Sequence, residues 1–306
     1  MAIPFLEDSN DGRLPEGQPV IETRNVKRVR KTITLATDLH KAYPEMAVIT
    51  GGAGEGKSVA RRYFQDTQTP LSHTGLPADI GIVVKPSSTP RALGDDIMRA
   101  LKETPRGRNI YQVADMAAVA IVRNDIRSLL IDEGDRLNEA SFEVLRYLFD
   151  ETGVIIIVVG LPAILNVIDR QEKFASRVGL RMTFRPLALD EVLDVVIPGL
   201  VFPRLIYDKS NEEDRAMAVT IWERVHPSFR KLRAVLQVSS QIAVQRGAKR
   251  ITSDIVREAF TLSQGPDRPR RSAAADGASG QGGPLEKESE QRHDEKDKDK
   301  GRGDEL

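Results

Sequence analysis

Residues 46–58, MAVITGGAGEGKS, constrain this chain more than any other stretch. Met46 to Ile49 form a short apolar run, the pattern of a buried strand. Gly51-x-x-x-x-Gly56-Lys57-Ser58 follows, and then a helical stretch, VARRYFQD. Strand, glycine loop and helix in that order are the setting a phosphate-binding P-loop needs. Glycines let the backbone turn tightly enough to aim successive N–H groups at phosphate oxygens. The helix behind them adds the positive end of its dipole. On this reading Gly51, Gly52, Ala53, Gly54, Glu55, Gly56, Lys57, Ser58 and Val59 cradle a nucleoside triphosphate. Lys57 reaches the β- and γ-phosphates, and the Ser58 hydroxyl ligands Mg²⁺. The plain alternative is a glycine-rich turn before a helix, and the complete pattern in its full setting argues against it.

A second stretch, SLLIDEGDRL from Ser128, adds chemistry to binding. Asp132 ends an apolar run read as a strand, where it is placed to hold Mg²⁺ through its water shell. Glu133 beside it can polarise a water for attack on the γ-phosphate. Two adjacent carboxylates would be costly in a sealed core, so the pair argues for a functional strand end.

The surroundings read as a parallel α/β sheet covered on both faces. GIVVK (81–85) reads as a second strand and VIIIVVG (154–160) as a buried one. Helices are expected at 24–42, 91–103, 111–124 and after Asp132, with Phe142, Leu145, Leu148 and Phe149 on one face of the last. Pro44 ends the first helix. Beyond Pro186 the pattern becomes wholly helical, at 188–200, 211–225, 228–246 and 252–262. The expected organisation is an arm over 1–23, a nucleotide-binding domain over 24–186, a helical lid over 187–263, and a charged tail over 264–306 that cannot bury a core.

Composition settles little about partners. Forty-five basic and 45 acidic residues cancel, so a nucleic-acid surface has to come from local clusters. One is Arg24, Lys27, Arg28, Arg30 and Lys31 on the first helix, a face either solvated or turned to DNA or a partner. The absence of cysteine removes disulfides, thiolate metal sites and a cysteine nucleophile, and fits a reducing cytoplasm. No apolar run approaches the ~20 residues that span a bilayer, and the acidic N-terminus does not read as a signal peptide. A soluble, cytoplasmic protein is the expectation. His40, His73, His226 and His293 have no metal-binding spacing, and Trp222 reads as core.

In order, the chain has a P-loop, an Asp-Glu strand, a further strand, an arginine-bearing segment and a helical lid, and so resembles the AAA+ ATPases. Within that class it is similar to the TniB/TnsC family of transposition regulators. The similarity is carried by GGAGEGKS, by LLIDEGDRLNEASFEVLRYLFDETGVIIIVVG and by LPAILNVIDRQEKFASRV, and covers residues 24–262. It implies a regulator that binds ATP with Mg²⁺ and assembles as a ring or filament on double-stranded DNA. Such a regulator recruits a transposase and a target-selecting partner, and hydrolysis reshapes the oligomer. The resemblance implies that Lys57, Ser58, Asp132 and Glu133 keep their roles. It also implies that Arg177 projects into a neighbouring subunit's nucleotide site, with Arg181 as the second choice and a surface ion pair to Glu172 or Asp169 as the plain alternative. Arg230, with Lys231 and Arg233 close by, matches the lid arginine. Arg91 and Arg108 match DNA-facing positions, with Lys85, Lys102 and Arg106 nearby. Leu161-Pro162 stands where the family has a polar residue, which implies slow hydrolysis or another polar group in that role. The rival readings are an initiator-like loader, which usually carries a winged helix after the lid, and an adaptor or membrane-associated assembly ATPase that ignores DNA.

Overall fold

A computed structural model describes residues 20–39, 45–201 and 205–264. The sequence-predicted arm up to residue 19, His40, Pro44, His293 and the tail from 265 lie outside the described residues. Five parallel strands run in the order β2-β3-β4-β1-β5. They are β1 (Met46–Thr50), β2 (Asp79–Val83), β3 (Ser128–Asp132), β4 (Ile155–Gly160) and β5 (Val178–Thr183).

The three middle strands are buried along their whole length, and their side chains alternate between two cores. Met46 and Val48 of β1, Leu129 and Ile131 of β3, and Ile156 and Val158 of β4 face one side. There they meet α3 (Pro90–Ala100), α4 (Ile110–Arg123), α5 (Glu139–Thr152), α6 (Ile164–Asp169) and α7 (Glu172–Ala175). Ala47, Ile49, Leu130, Ile155, Ile157 and Val159 face the other side, against α1 (Arg24–Leu39) and α2 (Lys57–Asp66). A strand buried on both faces needs apolar residues at every position, which is why these runs were legible without alternation.

Helix starts follow from short polar side chains that accept a first-turn N–H. Thr89 caps α3 ahead of Pro90, Asn109 caps α4, and Asn138 caps α5. Gly153 closes α5 in the left-handed conformation, with φ 70°.

After Pro186 the elements among the described residues are all helical. Short α8 (Leu189–Glu191) runs through a π-helical turn (Val192–Val196) into α9 (Ile197–Val201). Then come α10 (Glu212–Val225), α11 (Phe229–Gln245) and α12 (Ser253–Gln264). These helices share a core of their own, from Leu187 to Phe260. Trp222 packs half-buried against that core and donates its indole N–H to the Leu187 carbonyl at 2.9 Å.

Several elements differ from the sequence-based expectation. Strand β5 was not expected: of VGLRMT only Met182 is buried, because an edge strand with one covered face carries no continuous apolar signal. It pairs with β1 through an irregularity at Met46/Ala47 that leaves Gly179 unpaired. Strand β2 starts two residues before GIVVK, at Asp79, a residue type depleted in strands. Asp79 is tolerated because Arg127 and the Ser128 hydroxyl both donate to its buried carboxylate. The arm is anchored before residue 24: Glu22 accepts from the Tyr63 hydroxyl at 2.8 Å, Thr23 is buried, and Ile21 packs on the helical core.

One glycine is required by packing. A Cβ on Gly134, in the single 3₁₀ turn Gly134–Arg136 that follows Glu133, would lie 2.3 Å from Val158 Cγ1. Gly134→Ala is expected to cost roughly 1–3 kcal/mol by overpacking, read as a lowered thermal midpoint. An unchanged midpoint would show that the turn can shift away from β4.

Candidate nucleotide site

Strand β1 delivers the chain to Thr50 fully buried, and the loop Gly51–Gly56 turns it into α2. Gly54 and Gly56 take φ of 76° and 93°, a region that side chains with a Cβ rarely enter. Gly56 caps α2 with no side-chain hydrogen bond, so no side chain of the loop competes for the first N–H groups of the helix. That is the geometry of an anion cradle.

Lys57 curls over the loop, with Nζ donating to the carbonyls of Gly51 and Gly52, each at 2.8 Å. Burial pushes its ammonium pKa below the ordinary lysine value, while Glu55, Asp132, Glu133 and Asp135 pull against that shift. Glu55 accepts the Gly52 N–H at 2.7 Å. A Cβ on Gly51 would lie 2.7 Å from that carboxylate and 2.7 Å from Phe184 Cβ, so the loop is glycine here for lack of room.

The carboxylate pair lies at the end of β3. Asp132 Oδ1 accepts the Glu133 N–H at 2.9 Å, and its Oδ2 accepts from Arg61 Nε at 3.1 Å. Glu133 occupies the left-handed region at φ 56°, costly for a residue with a Cβ and the kind of local strain found at functional positions. Its carboxylate is half-exposed, with Arg136 Nη2 at 3.5 Å. Asp135 Oδ1 accepts the Leu161 N–H at 3.0 Å, tying this turn to the end of β4 at the Leu161-Pro162 position.

The C-terminal helices reach this loop directly. The Arg230 N–H, at the start of α11, donates to the Gly54 carbonyl at 2.9 Å. A Cβ on Gly54 would lie 3.1 Å from Arg230 Cβ and 3.2 Å from Ser228 Oγ. Arg230 therefore stands over the P-loop with an exposed side chain.

Other sequence-predicted residues are not gathered here. Arg177 donates from Nε and Nη2 to Asp150 of α5, at 2.7 and 2.9 Å. Its ion-pair partner is thus neither Glu172 nor Asp169, and Asp169 instead pairs with Arg181 at 2.8 Å. No hydrogen bond or ion pair among the described residues joins Arg177 to the P-loop of its own chain. Arg91 pairs with Asp95 one turn on, and Lys85 with Asp96. Arg108 and Arg106 are exposed, and their guanidinium groups have no ionic partner among the described residues.

The basic face of α1 is largely spent within the chain. Arg24 pairs with Asp190, Arg28 donates to the Thr183 carbonyl at 3.0 Å, and Arg30 reaches Glu22. Of that cluster only Lys27 and Lys31 have no partner among the described residues. Arg61 and Asp150, which the sequence did not single out, are the partners of Asp132 and Arg177; neither carries a motif, because contact across elements sets both roles.

The scaffold is a known one. Residues 40–168 match the AAA_22 family, an AAA domain. The chain is similar to Cdc6p of Pyrobaculum aerophilum at 17% identity and a TM-score of 0.61, over 82% of this chain and 70% of that one. It is also similar to the ORC1 protein of Aeropyrum pernix, solved in complex with DNA, at 19% identity and a TM-score of 0.56, over 81% and 68% of the two chains. The fold is that of an AAA+ P-loop NTPase. A Staphylococcus aureus protein described as a potential ATP-binding protein is 22% identical over 269 residues, which is 80% of this chain and 97% of that one. No helix among the described residues is long and apolar enough to cross a membrane.

Proposed function

We propose that this AAA+ protein is an ATPase that regulates DNA transposition: it oligomerises on double-stranded target DNA with ATP and recruits a transposase and a target-selection partner. ATP binding is carried by one observation above all. The P-loop, the Asp132–Glu133 strand end and the start of α11 converge, with the Arg230 N–H on the Gly54 carbonyl at 2.9 Å. A lid helix bonded to the phosphate loop lets the state of the nucleotide move residues 187–263 as a lid domain, which gives ATP a means to control assembly. The transposition reading rests on the stretch IDEGDRL, the VVG strand and RQEKFASR. Likeness to an ORC1 protein solved with DNA supports a role on DNA, and equally supports the second reading, an initiator-like loader.

The residues on hand suit the chemistry. Ser58 and Asp132 offer hydroxyl and carboxylate oxygens, the hard donors that Mg²⁺ prefers, and would hold it. When bound, the ion neutralises charge on the β- and γ-phosphates. Glu133 orients the attacking water and accepts its proton. Lys57 and the N–H groups of the loop hold the phosphates, and Arg230 supplies positive charge from the lid side. Arg177 acts on the site of a neighbouring copy, where a guanidinium stabilises transition-state charge. Arg91 and Arg108 contribute phosphate contacts that are sequence-tolerant and salt-sensitive. For Arg91 this requires exchange of its Asp95 partner, whereas Arg108 has no ionic partner to give up among the described residues.

The test is electron microscopy of the purified chain with double-stranded DNA and ATP or a slowly hydrolysed analogue. Nucleotide-dependent rings or filaments on DNA are expected, and co-purification with a transposase separates this reading from the loader. Monomers that ignore DNA at low salt would overturn it in favour of an adaptor ATPase.

A further inference from the structure

The carboxylate of Asp132 does not stand alone at the end of β3. Arg61, on the P-loop helix α2, donates to its Oδ2 at 3.1 Å, and both side chains are only 3% exposed. Arg61 is itself held from its far end, where Nη1 donates to Gln65 Oε1 at 3.0 Å. Room for this pair comes from a third element. Gly81 sits in the middle of β2, and a Cβ there would lie 2.1 Å from Arg61 Nη1 and 2.2 Å from Gln65 Oε1.

Packing alone does not account for such an arrangement. An apolar pair of similar volume would hold α2 to the sheet at least as well, because burying two charges costs desolvation that their attraction only partly returns. What the guanidinium provides instead is direction. With Oδ2 bound to Arg61 and Oδ1 taking the Glu133 N–H, the carboxylate plane is fixed from two sides. The same Oδ1 bond accompanies the left-handed turn at Glu133.

We infer that Arg61 is a positioning residue for magnesium-dependent nucleotide binding, acting through Asp132, with Gln65 and Gly81 as its supports. The inference rests on the reading of Asp132 as the carboxylate that faces the ion. Groups that hydrogen-bond a metal-facing carboxylate set its orientation, and losing them weakens the ion without removing a ligand.

The test is a Mg²⁺ titration of the binding of a fluorescent, slowly hydrolysed ATP analogue to the full chain. Arg61→Met keeps an unbranched apolar stem and removes the guanidinium with its charge. It is expected to raise the Mg²⁺ concentration at half-saturation by about tenfold or more, with affinity in the presence of a chelator changed less than about twofold. Arg61→Lys should recover part of the shift, and Gly81→Ala, which crowds Arg61 from β2, should move it in the same direction. A purely structural role would lower thermal stability and leave the half-saturation point where it was. An unchanged or lowered half-saturation in folded Arg61→Met overturns the inference. If that variant does not fold, unchanged values in both Arg61→Lys and Gly81→Ala overturn it. Wild-type protein that binds the analogue without any Mg²⁺ dependence overturns the reading of Asp132 first, and the inference with it.

Discussion

Replacing Arg177 with alanine is expected to lower ATP hydrolysis by the DNA-assembled protein about 10³-fold or more, the scale at which an arginine supplied to a phosphoryl-transfer site acts. ATP affinity of the unassembled chain should not change, because Arg177 makes no described contact with its own P-loop and binds Asp150 instead. Stability should hardly change either: both partners of this pair are about 30% exposed, and such pairs contribute about 0–1 kcal/mol. The measurement is steady-state hydrolysis with and without DNA, beside a thermal midpoint and a nucleotide titration. Full hydrolysis in assembled Arg177→Ala would leave Arg177 as a surface partner of Asp150 and move attention to Arg181, now paired with Asp169.

Lys57→Ala is the second large effect. Hydrolysis is expected to fall about 10²–10³-fold, as when one preorganised charge-stabilising donor is removed from an active site. ATP binding should weaken with it. The variant should still fold, since the hydrogen bonds Lys57 makes among the described residues are to the carbonyls of Gly51 and Gly52 alone. Mixing the two variants gives the sharper result. Each carries what the other lacks, so a site shared between copies should regain activity at junctions where an intact P-loop meets an intact Arg177. A mixture as inactive as its components would argue that Arg177 and Lys57 do not serve one site.

Much of the candidate nucleotide site was legible in one dimension, because the chemistry proposed for it is local. GGAGEGKS needs only its own glycines and the strand and helix beside it to become a phosphate cradle, and the structure has both, at Met46–Thr50 and Lys57–Asp66. The buried strands β1, β3 and β4 were legible for a related reason: a strand covered on both faces is apolar throughout, and few other segments this short are. Asp132 and Glu133 stood out as two charges at the end of such a run.

Strand β5 was illegible because an edge needs little burial: of VGLRMT only Met182 is buried, with Val178 and Leu180 partly so. The charges of α1 looked alike in sequence, yet Arg24 and Arg28 are spent on Asp190 and the Thr183 carbonyl, more than 150 residues away, while Lys27 and Lys31 have no partner among the described residues. No pattern of spacing encodes such a choice. The same holds for Arg61 and Arg62, neighbours of one type, of which Arg61 turns inward to Asp132 through the gap at Gly81. By itself, then, the sequence determined a P-loop pattern between a strand and a helix and the buried strands of a parallel sheet, since both follow from neighbours along the backbone. Only the tertiary structure decided which cations find partners among the described residues, which carboxylate each arginine holds, and that the start of α11 rests on Gly54. Those outcomes depend on which distant elements share a face, and burial makes any other pairing costly.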